Sequence, residues 1–156
     1  MLSATNRGLR MWGVMGLSAL ALTLAARGVF AQAEEIVTVT VLGIHATTEP
    51  NEHIDPALRP IADELRRSPY NCFRLIASDT RRIPLGETSK FAMIEGYALH
   101  VHPQKVAEDN VQLTITWVRE GQILQRMAIT LRKGKYFLSG GWRLKEGALL
   151  GAIAVQ

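Results

Sequence analysis

Residues 111–132 read VQLTITWVREGQILQRMAITLR. Val111, Leu113, Ile115 and Trp117 alternate with Gln112, Thr114, Thr116 and Val118. After Arg119-Glu120-Gly121-Gln122 the alternation resumes: Ile123, Met127, Ile129 and Leu131 against Arg126, Thr130 and Arg132, with Gln125 breaking the apolar face once. Successive side chains of a strand point to opposite faces, so the pattern predicts two strands, each with one apolar face. The Glu-Gly pair stands where a tight hairpin needs positive φ, which glycine supplies at little steric cost. A hairpin alone is not stable in water. The rest of the chain must cover its apolar face.

The chain has 156 residues, a length that suggests one domain. Its first 33 residues read as something else. Arg7 and Arg10 precede an apolar run over 11–26, broken only by Ser18 and Thr23, and Ala31-Gln32-Ala33 has the small-x-small form of a cleavage site. This predicts a secretory signal peptide over 1–33, cut before Glu34. An uncleaved N-terminal anchor is the alternative. The run is shorter than the roughly 20 residues a membrane span needs, so no stable span is expected after cleavage. The product is then periplasmic or secreted.

Cleavage changes the charge argument. The chain has 18 Lys+Arg and 14 Asp+Glu, net +4. Residues 1–33 hold three arginines and no acid, which leaves 15 − 14 = +1 for residues 34–156. The basic balance therefore gives no reason to expect a nucleic-acid partner. Acids cluster over 34–64 and bases over 119–145. Solvated faces or an electropositive rim for an acidic partner would both produce this. Cys72 is the single cysteine, so no internal disulfide can form. It reads as a small core hydrophobe, with a reactive thiol or intermolecular bridge as alternatives.

The flanking segments predict an α+β fold, one N-terminal helix packed on a largely antiparallel, meandering sheet. A β-branched strand covers 35–44. Asp55-Pro56 then resembles a helix cap with proline at the first turn. Leu58, Ile61, Ala62 and Leu65 follow at helical spacing, although Pro60 disturbs the ladder. Residues 71–78 form the next strand, made parallel to the first by a right-handed crossover. Residues 79–82 read as a polar turn and 83–85 as an edge segment. A long strand over 90–102 ends at Pro103. Phe91, Met93, Tyr97, Leu99 and Val101 share one face of it, with His100 and His102 on the other. Residues 104–110 and 133–135 read as turns, and Ser139-Gly140-Gly141 as a bend. The terminal run over 148–155 is apolar on both faces and belongs near the sheet centre.

Absent from the sequence are a nucleophile elbow, a phosphate-cradling glycine loop and a His-Glu-x-x-His helix. The expectation is a non-enzymatic protein. The candidate metal ligands are His100 and His102, two apart on a strand and so on one face, with His45 and His53 as further donors. Zinc is the ion such a set would suit. The candidate partner-binding residues are Arg132, Lys133, Lys135, Trp142 and Arg143. Trp142 and Tyr136 beside basic residues also suit a small ligand or glycan.

Asp55-Pro56-x-Leu58, Leu65, Tyr70-x-x-Phe73-Arg74-Leu75, the Gly140-Gly141 bend and the apolar end together resemble a group of small, uncharacterised exported proteins of Gram-negative bacteria. The resemblance covers most of 36–155. It implies export and an α+β domain and transfers no site residues. The expected function is an envelope protein that binds another protein, by strand addition at 83–85 or 133–138. Metal binding or small-ligand binding is the alternative.

Overall fold

The hairpin of residues 111–132 is the middle of a four-stranded antiparallel sheet. The computed structural model describes residues 34–156, so the expected signal peptide lies outside the described residues. The strands are β1 (Ile36–Thr47), β2 (His53–Ile54), β3 (Cys72–Pro84), β4 (Ser89–Ala92), β5 (Tyr97–Ala107), β6 (Asn110–Arg119), β7 (Gln122–Arg132), β8 (Tyr136–Arg143) and β9 (Ala148–Val155). They form a five-stranded sheet, β2-β3-β1-β9-β8, and a four-stranded sheet, β4-β5-β6-β7.

This corrects the expected fold class. The described residues are 64% strand and 9% helical. The second layer is another sheet, and the helical part is only a 3-10 turn (Pro56–Ile61) running into α1 (Ala62–Arg66). Pro60 accounts for that shape. It has no N–H for the α ladder, so α-helical bonding begins only after it. Apart from the two-residue β2, strands adjacent in space are adjacent in sequence, with β1 and β9 meeting at the seam. The architecture is an up-and-down meander, folded flat into a sandwich and closed by its first and last strands.

The expected parallel crossover is also corrected. β1 and β3 pair antiparallel, with Thr47 opposite Cys72. Residues 48–71 loop out, adding only the two-residue β2 to the sheet's margin, and return to the same point. Asn71 pins the two ends: its N–H donates to Thr47 O at 3.1 Å. Its side chain accepts from Glu49 N at 2.8 Å and donates to Glu49 O at 2.7 Å. A connection pinned in this way is a long-looped hairpin, not a crossover.

Three further boundaries differ from the sequence reading. Residues 79–82 are strand, not turn. They are polar because they lie at a sheet margin, where Thr80 meets Thr40 at 2.9 Å and Asp79 pairs with Arg81 at 2.7 Å. The strand expected over 90–102 is two strands joined by a turn at Glu95-Gly96, both with positive φ (52° and 79°), as at Glu120-Gly121 (49° and 80°). Pro103 does not end β5. The register shifts between Pro103 and Lys105, and proline's missing donor is tolerated at such a bulge. The Gly140-Gly141 bend is likewise a bulge within β8, where the register shifts between Gly140 and Trp142.

The main core lies between the sheets. Val37, Val39, Val41, Leu149, Ile153 and Val155 face Leu99, Val101, Leu113, Ile115 and Trp117. Trp117 is fully buried and donates from Nε1 to Ser139 Oγ at 2.9 Å. Its ring needs a hole in the opposing strand, and Gly151 provides it. A Cβ there would stand 2.7 Å from Trp117 Cζ2. A second core covers the outside of the five-stranded sheet, where Leu58, Ile61 and Leu65 pack on Ile44, Phe73, Leu150 and Ala152. β9 is therefore buried on both faces in the interior of its sheet, as its double apolarity requires. Among the described residues no helix is long and apolar enough to cross a membrane.

Candidate functional site

The outside of the four-stranded sheet carries no such cover. Its even-facing side chains line an open groove of ≈ 670 Å³, within the usual size of small-ligand sites. Register places them in rows across the strands. Lys90, His100, Thr116 and Arg126 are successive partners from β4 to β7. With strands about 4.8 Å apart, Lys90 and Arg126 stand roughly 14 Å apart at Cα, one on each rim. A second row holds His102 beside Thr114. Thr88 Oγ1 lies 3.0 Å from His102 Nδ1 and extends that row. On the other side, Val118 pairs with Ile123 and makes an apolar end.

The lining holds donors and no carboxylate: Lys90, Arg126, His100, His102, three threonines and Gln104. His100 Nε2 is buried and has no hydrogen-bond partner among the described residues. Burial, and then the Lys90 ammonium across the strand pair, hold the His100 imidazole below its ordinary pKa. The groove therefore presents a neutral imidazole between two cations.

The structure brings His100 and His102 to one groove, as their spacing predicts, but leaves the other histidines elsewhere. His45 Nε2 bonds Glu146 O at 2.6 Å. His53 is the register neighbour of buried Cys72 in the parallel β2–β3 pair, and no hydrogen bond joins them. Among the described residues no group of three or more His, Cys, Asp or Glu is placed to hold a metal ion.

The expected basic docking set is divided. Arg132 ends β7 and Lys133 and Lys135 lie in the turn before β8, whereas Trp142 and Arg143 lie at the far end of β8. Trp142 is half-buried edge-on against Trp117, with centroids 6.2 Å apart, while Tyr136 packs with the core on the opposite face of the sheet. The two aromatics do not form one stacking surface. Of the two expected edge segments, residues 136–138 do lie on an edge strand, and 83–84 lie in β3 beyond its short pairing with β2.

Sequence reasoning missed Lys90, Thr116 and Arg126. Each is unremarkable in its own strand, and only cross-strand register assembles the row. The second Glu-Gly pair was the available signal, because recognising that turn sets Lys90 opposite His100.

Comparison of the chain with family models, with curated proteins and with solved structures found no match. The described chain is a two-sheet sandwich with one covered and one open outer face.

Proposed function

We propose that this domain is a non-enzymatic binding module of the cell envelope, and that it binds a small ligand in the groove on the four-stranded sheet. One observation carries the reading. A groove lined by donors from four strands holds two cations and a buried, unpartnered imidazole nitrogen, with no carboxylate to neutralise them. Unpaired buried polar atoms are costly, and a ligand supplying acceptors would relieve that cost. Zinc on His100 and His102 is the weaker alternative, because the ion would sit between Lys90 and Arg126.

The test is a thermal-shift screen of the purified protein against small acids, sugars and peptides, alongside Thr114→Trp, which fills the groove floor from an outward-facing site. A ligand that raises the melting temperature of the parent protein and not of the variant is expected. Equal shifts in both, or none in either, would remove the groove as the site.

A second reading is favoured by β7. Ile123 and Leu124 are 58% and 38% exposed on a strand paired along only one side. Such an edge suits strand addition by an envelope protein. Crosslinked capture of a reproducible partner, lost in Leu124→Pro, is the result this reading requires.

A further inference from the structure

The groove's rows differ chemically, and the order of that difference describes a ligand. The Lys90–His100–Thr116–Arg126 row spans the floor from rim to rim. The long side chains of Lys90 and Arg126 can lean inward over the two central residues, so both charges can reach one group above His100 and Thr116. One same-face step further along β6 and β7, the paired Val118 and Ile123 make an apolar end to the groove. Ile123 is the most exposed of the large apolar residues in the described chain, and its apolar surface would leave water only under something apolar. On the other side, the His102–Thr114 row offers hydroxyls and an imidazole.

We propose that the groove takes a soluble amphiphilic carboxylate, its head held between Lys90 and Arg126 over His100 and Thr116, its apolar part lying on Val118 and Ile123. The proposal rests on the groove being the binding site and adds the class of ligand. The carboxylate gains charge-assisted bonds from both rims, which are the stronger kind of hydrogen bond. The tail removes apolar surface from water at Ile123. A sugar would satisfy the threonines and leave both cations and the isoleucine without a use.

The head also couples to protons. The groups facing His100 are Lys90 on β4, His102 on its own strand and Arg126 across β6, with Thr116 the neutral neighbour between. All the charge there is positive, so an added anion favours protonation of His100, and by linkage protonation favours the anion. Affinity for an anion of constant charge rises as pH falls from 8 to 6.

The experiment is calorimetric titration of the purified protein with octanoate, 1-octanol and sulfate. Octanoate is expected to bind saturably, with octanol and sulfate each weaker by about tenfold or more. Lys90→Gln and Arg126→Gln should each weaken octanoate by about tenfold and leave melting unchanged, because both residues are on solvated rims. His100→Gln should flatten the pH dependence. Octanol binding as tightly as octanoate would overturn the ligand class while leaving the groove as a site. Octanoate binding that ignores both charge variants would do the same. Failure of all three probes would also overturn the class. The groove itself stands or falls on Thr114→Trp in the wider screen.

Discussion

The two outer faces of the sandwich have opposite fates. On the five-stranded sheet, residues 48–71 leave the strands and fold back, laying Leu58, Ile61 and Leu65 over Ile44, Phe73, Leu150 and Ala152. On the four-stranded sheet no segment of the described chain returns to cover Lys90, His100, Thr116 and Arg126. The composition of each face matches its fate. The covered face is apolar or small, and the open one carries threonine, histidine and cations. A chain with one long connection can bury one outer face, and the other must be made of residues that tolerate water. Residues that tolerate water and converge on a groove are also those that can meet a ligand.

Substitution can break this comparison at either face. The largest effect is expected under the cover. Leu65→Ala should cost about 2–5 kcal/mol, since Leu65 is fully buried and a truncated core side chain leaves a cavity. Thr114→Ala on the open face should stay within about 0.5 kcal/mol. Chemical denaturation of the two variants checks the contrast, and similar losses would mean that the open face is also structural. Between the sheets, Gly151→Ala should cost about 1–3 kcal/mol by overpacking against Trp117. Trp117→Phe in the same chain should recover part of that loss in thermal melting, because the smaller ring makes room for the methyl group.

The smallest expected effect is the response of the open face to pH. His100 has a folded pKa lowered below 6.5 by burial and by Lys90. Below 6.5 the unfolded chain takes up a proton that the folded groove resists. Stability is therefore complete above that value and declines as pH falls toward the folded pKa. Melting temperatures of the parent and His100→Gln, measured from pH 8 to 5, should diverge on the acid side, with the variant losing less. A constant difference across the range would show that His100 does not report on the groove.

Much of each strand was legible from its own residues. The alternation of residues 111–118 and the Glu120-Gly121 turn define the central hairpin. Residues 148–155 are apolar on both sides because both sides are covered. The period of two puts His100 and His102 on the face opposite Leu99 and Val101, and the structure has them there. What alternation cannot say is what lies opposite an apolar face. The valines of β1 are equally content under a helix or under a second sheet, so the α+β expectation and the sandwich share one strand pattern. The polar stretch 79–82 resembled a turn because a marginal strand with half-exposed sides loses the apolar signal. The cationic row was illegible for another reason: its members come from four strands, and one sequence does not give their register.

The seam between β1 and β9 sets the order in which this molecule can be completed. Val39 pairs with Val155, a separation of 155 − 39 = 116 residues. A chain emerging from the ribosome can close the β5–β6–β7 meander and the β1–β3 hairpin from nearer residues, but the second side of β1 waits for β9. Contacts of such long range slow folding. The four-stranded sheet, groove included, can thus form as an early local unit, while the five-stranded sheet is completed only when β9 joins β1 to β8. Deleting β9 would remove an interior strand of its sheet, not a margin.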